Sequence, residues 1–230
     1  MHSLSRHKLP ALTTEQMREV DRVMVEDLHI ELIQMMENAG RSLAELAIDR
    51  FSPGSVTVLA GPGGNGGGGL VGARHLANRG CQVQVVLSEP GRLTPVPAHQ
   101  ADILGRTGIH IAERPPPADL VIDALIGYSL RGDPAGAAAE LIAWANDQPA
   151  PVLALDTPSG LDLMTGAPRN PAIRATATLT LALPKAGLLD APLVGELYLA
   201  DISVPSLVYE RMGIAVPGLF RQSTLLHLTG

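Results

Sequence analysis

Four oxygen-bearing side chains stand where a chain of this pattern can bring them together. Asn65 sits inside a glycine run, Asp123 closes the apolar run V-I-D, and Asp156 and Ser159 belong to D-T-P-S-G. Carboxylate, amide and hydroxyl oxygens are the ligands a hard cation takes, so a monovalent or alkaline-earth ion is one chemistry open to Asn65, Asp123 and Ser159. Proton transfer is the other. A carboxylate at the end of a buried strand is poorly hydrated, which shifts its proton affinity and suits it to acid or base work. An aspartate in that position can also simply cap a turn. Two of them flanking a glycine loop favour the functional reading. Lys185 joins the set on composition: of seventeen basic residues fifteen are Arg and only Lys8 and Lys185 are Lys, and a lysine, unlike an arginine, can be buried and retuned.

The elements that must position these groups are legible around the glycine run. Residues 56–70 read V-T-V-L-A-G-P-G-G-N-G-G-G-G-L, a β-branched strand breaking into a turn and opening a helix, continued by Val71, Ala73, Leu76 and Ala77 at helical spacing. The free N–H groups of that first turn offer an anion or phosphate seat. Gly61, Gly63 and Gly66 match G-x-G-x-x-G in the right context, with Glu89 after the next strand as a ribose partner. The competing explanation is a glycine-rich turn that lets strand and helix pack closely.

Upstream, residues 1–12 read as a flexible leader. Thr13 and Gln16 form a capping box that opens a helix bearing Met17, Val20, Met24 and Leu28, and a second helix covers about 31–51. Those two helices either cover one face of the sheet or lend apolar surface to a dimer contact. Downstream, strands at 82–87, 109–112, 119–125, 151–155, 175–183 and 196–200 alternate with helices near 97–107 and 135–145. This alternation predicts an α/β, three-layer, doubly wound and mainly parallel sheet of Rossmann-like type, with the two N-terminal helices as extras and ligands beyond the carboxyl ends of the strands. Residues 13–213 are expected to form a single domain and 214–230 a C-terminal extension.

Composition narrows the function. Hydrophobic residues make up 46% and aromatics 3%, so Ala, Val, Leu and Ile must fill the core of a layered fold. A net charge of −6 with scattered basic residues argues against nucleic acid as a partner. No 20-residue apolar span or signal peptide is evident, and the lone Cys81 cannot form an internal disulfide, so a cytoplasmic protein with no membrane partner is expected. The seven histidines show no ligand spacing for a transition metal.

Five blocks in order resemble the NAD(P)H-hydrate epimerases, or YjeF N-terminal domains: M-M-E-N-A-G at 35–40, G-P-G-G-N-G-G-G-G at 61–69, V-I-D-A-L-I-G at 121–127, D-T-P-S-G-L-D at 156–162 and L-P-K-A-G-L at 183–188. The resemblance spans roughly residues 12–213. It implies one potassium ion per subunit held by Asn65, Asp123 and Ser159. It implies substrate contacts from Gly64, Asn65, Gly66, Gly67 and Gly68, from Gly127, Tyr128, Ser129, Leu130, Arg131, Gly132 and Asp133, and from Asp156. It further implies catalysis by Asp156 and a homodimer; Lys185, a lysine in an arginine-rich chain, is the candidate to tune that carboxylate or touch the substrate. The implied reaction interconverts the R and S forms of NADH or NADPH hydrated at C6 of the reduced ring, with a separate dehydratase as a possible repair partner. The family reads G-N-N-G-G-D-G where this chain has Gly64 and Gly68, so one amide and one carboxylate are missing from the loop; weaker discrimination of hydrated from ordinary cofactor is expected. Two other readings remain: a dimeric nucleotide-binding or interaction module without turnover, and an NAD(P)-dependent oxidoreductase, for which no hydride-transfer residue is identifiable.

Overall fold

The computed structural model describes residues 2–216 and 218–230. One sheet of nine strands organises it. In chain order the strands are β1 (His2–Ser5), β2 (Ser55–Ala60), β3 (Gln82–Leu87), β4 (His110–Ile111), β5 (Leu120–Ala124), β6 (Val152–Leu155), β7 (Ala177–Leu181), β8 (Glu196–Ala200) and β9 (Leu225–Thr229). Their spatial order is β1-β9-β8-β7-β6-β5-β2-β3-β4, and every pairing is parallel except β8 with β9. From β2 the chain runs outward through β3 and β4, then returns to β5 on the other side of β2 and runs outward the opposite way. The topological switch therefore falls between β2 and β5, where a doubly wound sheet opens a crevice at the carboxyl ends of its strands.

The helices are α1 (Thr14–Arg22), α2 (Leu32–Phe51), α3 (Gly64–Asn78), α4 (Pro95–Arg106), α5 (Gly136–Asp147) and α6 (Ser206–Arg211). Alternation along the central strands sends residues to two faces. Val58, Ala60, Ile122, Ala124, Leu153 and Leu155 pack with Leu43, Leu70 and Leu104 of α2, α3 and α4, whereas Leu59, Val121 and Val152 pack with Leu141 and Ile142 of α5. The expected three-layer α/β architecture is what forms. The capping box also forms: Gln16 N–H donates to Thr13 Oγ1 at 3.2 Å and Thr13 N–H to Gln16 Oε1 at 2.9 Å. Helix α1 runs on through a π-helical segment, Val23–Asp27, and its buried Met17, Val20 and Met24 pack on Ala182, Leu183 and Ile202 beyond the ends of β7 and β8.

The chain ends depart from expectation. The residues read as a flexible leader supply a strand, β1, which pairs in parallel with β9, and Leu12 is fully buried, with its backbone bonded to Pro184 O at 2.8 Å and to Ala186 N–H at 3.1 Å. The residues read as an extension supply β9 itself, which runs antiparallel on β8. Both ends thus complete the sheet, and Leu12 braces the turn that carries Lys185. Met1 and Pro217, which those readings included, lie outside the described residues.

Candidate functional site

The carboxyl ends of β2, β5 and β6 open into a cavity of about 610 Å³, walled also by α1 and α2. Asp156 stands one residue beyond β6. Its φ of 66° is left-handed, and Thr157 N–H donates to Leu155 O at 2.8 Å, closing a tight three-residue turn on it. A non-glycine residue held there costs about 1–3 kcal/mol and persists only where the surroundings impose it. The imposing partner is Lys185, in the turn after β7, whose Nζ donates to Asp156 Oδ1, to Thr180 Oγ1 at 3.2 Å and to Leu181 O at 3.0 Å. Lys185 is 1% exposed and Asp156 4%. With Oδ1 engaged by the ammonium, Oδ2 lies on the side of Gly127, 3.4 Å from where a Cβ on that glycine would stand; Asn65 Cγ lies 3.3 Å from the same point. Asp156, Asn65 and Gly127 therefore converge in the cavity wall.

Asp123, at the fourth position of β5, is fully buried. Ser159 N–H donates to its Oδ2 at 2.7 Å, Ser159 Oγ to its Oδ1 at 2.6 Å and Leu125 N–H to its Oδ1 at 3.2 Å. Burial pushes its carboxyl up to about 6, against the pull of those bonds from Ser159 and Leu125. Ser159 Oγ also accepts from Ile126 N–H at 2.9 Å, so the 126–133 loop and the Asp156 loop are pinned to one carboxylate. Asn65 Nδ2 is buried without a hydrogen-bond partner. Turning that amide over puts an acceptor oxygen in the same place. Together with the oxygens of Asp123 and Ser159, this all-oxygen donor set with a single carboxylate fits a monovalent hard cation.

The cavity is lined by Gly64, Asn65, Gly68, Gly127, Tyr128, Ser129, Leu130, Arg131, Asp133 and Asp156 of the expected set, and by Glu89. Gly66, Gly67 and Gly132 are absent from the lining, and Asp123, Ser159 and Lys185 lie behind it. Two loop glycines have packing reasons: a Cβ at Gly66 would stand 1.9 Å from Gly61 O, and one at Gly67 would stand 2.7 Å from Met36 Sδ. Gly63 and Gly64, where a Cβ meets nothing closer than Met36 Cε at 3.8 Å, are the positions left for ligand approach, at the N-terminus of α3. Gly68 is the fifth residue of α3, one turn deeper than a first-turn position, and its Cβ would stand 2.9 Å from Leu155 Cδ2.

Sequence reasoning missed Asp21. It lines the cavity from α1, and its Oδ2 accepts from Tyr128 Oη at 2.5 Å. Burial raises its carboxyl, while the Tyr128 hydrogen bond and Lys185 oppose that shift and Asp156 adds to it. The phenol of Tyr128 is raised in turn, by burial and by the charge of Asp21. The available signal was a carboxylate one helical turn after Met17, on the apolar side of α1.

The family described as YjeF-related protein N-terminus matches residues 32–187. A protein of Dehalogenimonas lykanthroporepellens named NAD(P)H-hydrate epimerase is 46% identical over 88% of this chain and 86% of its own length. One of Rhodopirellula baltica with the same name is 37% identical over 86% of each. A Salinibacter ruber protein named bifunctional NAD(P)H-hydrate repair enzyme Nnr is 36% identical over 94% of this chain, which spans 44% of that longer protein. The crystal structure of a yeast protein, ynu0, superposes with a TM-score of 0.83 at 22% identity, covering 96% of this chain and all of that one, and so shares the fold. With the match running through the glycine loop, the Asp123 and Asp156 strand ends and Lys185, the chain belongs to the YjeF-related N-terminal family.

Proposed function

We propose that the protein is an NAD(P)H-hydrate epimerase, interconverting the R and S forms of NADH or NADPH hydrated at C6. The observation that carries this is Asp156: a carboxylate held in a left-handed turn at the sheet edge, one oxygen fixed by buried Lys185 and the other directed toward Asn65 and Gly127. The relatives' names supply the substrate. C6 bears a hydroxyl beside the ring nitrogen. Protonating that hydroxyl lets water leave while the nitrogen lone pair stabilises the cation, and water adding to the other face, with loss of a proton, inverts the centre. Positioned proton transfer of this kind contributes about 10²–10⁴-fold. The amides at the start of α3 and the Arg131 guanidinium suit the dinucleotide phosphates, and Glu89 a ribose hydroxyl.

Asn65, Asp123 and Ser159 would hold a potassium ion, which when bound supplies one positive charge against the Asp123 carboxylate and ties the glycine loop to the two loops that Ser159 already joins. The same reading includes a homodimer, a cytoplasmic location and a separate dehydratase as repair partner. No helix among the described residues is long and apolar enough to cross a membrane. A module that binds the cofactor without turnover is the second reading, favoured by Gly68, where the loop lacks the family's carboxylate. Turnover by Asp156→Asn separates them: the epimerase reading expects a loss of about two to four orders of magnitude with the fold intact. A rate equal to the parent's refutes the assignment of Asp156.

A further inference from the structure

Inversion at C6 needs proton traffic on both faces of the ring, because the hydroxyl departs from one and water arrives at the other. Asp156 stands on one wall only, at the sheet edge. The same cavity holds a second carboxylate on a different wall, Asp21 of α1, built on the same plan. Each has one oxygen anchored by a neighbour's donor: Asp156 Oδ1 by Lys185 Nζ, and Asp21 Oδ2 by Tyr128 Oη. Each has its other oxygen without a hydrogen-bond donor among the described residues, neither of those oxygens is fully buried, and both residues line the cavity. The charged groups facing Asp21 are Asp156 and Lys185 from the sheet side, with Arg18 acting on Tyr128.

Resting on the epimerase reading, we propose that Asp21 is a second catalytic residue and that Asp21 and Asp156 serve opposite faces of the reduced ring, one as acid while the other acts as base. In one direction the protonated carboxyl of Asp21 gives its proton to the C6 hydroxyl, the C6–O bond breaks, water leaves, and the ring nitrogen lone pair forms the C=N bond of the cation. Water then attacks C6 from the side of Asp156, forming the new C–O bond, and its proton passes to that carboxylate. The reverse epimerisation begins with the proton on Asp156 and ends with it on Asp21. No oxidant or reductant is involved, and exchange of one proton with solvent resets the pair. Tyr128 is a positioning residue, fixing Asp21 through its hydrogen bond.

The test uses the full chain and NADPH hydrate carrying ¹⁸O in the C6 hydroxyl, each epimer supplied separately, with loss of label and inversion followed together. In the parent, inversion carries label loss with it from either epimer. In Asp21→Asn, inversion should fall by about 10²-fold or more. Label should still wash out, with retained configuration, from the one epimer whose hydroxyl faces Asp156. Asp156→Asn should show the mirror pattern, washing label from the other epimer, and Tyr128→Phe a smaller fall in inversion than Asp21→Asn. Inversion by Asp21→Asn at the parent's rate overturns the proposal alone, as does equal loss of washout from both epimers in a variant with native circular dichroism. A parent that neither inverts nor exchanges refutes the epimerase reading itself, and the proposal with it.

Discussion

The Gly68 position allows the loop's departure from its family to be tested as a steric question. An aspartate there gains about 0.3 kcal/mol from helix propensity over glycine. It gains little from the helix dipole, which fades beyond the first turn, because Gly68 is the fifth residue of α3. Against this stands the contact of any Cβ with Leu155 Cδ2 at 2.9 Å, in a place where Leu155 is fully buried. Overpacking of that kind costs about 1–3 kcal/mol. Gly68→Asp should therefore destabilise by about 1–3 kcal/mol, and Gly68→Ala, which adds the Cβ without the charge but gains about 0.8–1 kcal/mol of helix propensity, by about 0–2 kcal/mol. Leu155→Ala alone should cost about 2–5 kcal/mol through the void it leaves. The void is where the new Cβ would sit, so the double variants should be more stable than the sum of the singles by more than the roughly 0.5 kcal/mol within which independent sites add. Urea denaturation of the parent, the singles and the doubles closes the cycle. Additivity within that limit would refute the argument that Leu155 occupies the space a side chain at position 68 needs.

Other predictions follow from the same geometry. Lys185→Met strands the Asp156 carboxylate in a buried site and should cost about 3–5 kcal/mol, a melting temperature lower by roughly 6–20 °C for a domain of this size, with Lys185→Met/Asp156→Asn recovering part of it; a shift under about 2 °C in calorimetry would mean the pair is not buried as described. Glu196 is held down at about 2 by Arg50 and Tyr198. A depressed carboxylate contributes stability that is present above its unfolded value near 4.5 and lost as pH falls toward 2, so Glu196→Gln should flatten the stability profile only in that acid window. The side chain is 38% exposed, and solvent screening keeps the effect below about 1 kcal/mol; a profile unchanged between pH 2 and 4.5 would contradict it. Asp123→Ala should abolish any stabilisation by potassium over an ionic-strength control in thermal melts, and equal stabilisation of variant and parent would place the ion elsewhere.

The parts of this molecule that were legible in its sequence are those with local grammar. V-T-V-L-A breaking into glycines can hardly be anything but β2, a turn and α3, and the carboxylates at 123 and 156 announce themselves by ending apolar runs. Lys185 stood out because the chain otherwise spends its positive charges as arginine. Its partner, 29 residues away in sequence, became visible only when β6 and β7 lay side by side. Strand β1 could not be read because H-S-L-S has no pattern of its own and owes its conformation to β9, more than two hundred residues later. Glycines are equally mute about motive: Gly67 yields to Met36 and Gly66 to the backbone of Gly61, while Gly63 and Gly64 face open space, and the letter is the same in each case. Asp21 lies in a helix whose evident pattern, Met17, Val20 and Met24 at helical spacing, is that of packing.

The central claim is that this cavity inverts C6 of a hydrated nicotinamide, and it is met most directly by incubating the protein with one pure epimer of hydrated NADPH. Both epimers are then resolved by chromatography over time, against buffer alone and against Asp156→Asn. The account predicts that either starting epimer moves to the same equilibrium mixture far faster than the uncatalysed interconversion, and that Asp156→Asn falls back by two or more orders of magnitude. Time courses for the parent that overlay the buffer control, from either epimer, would contradict it.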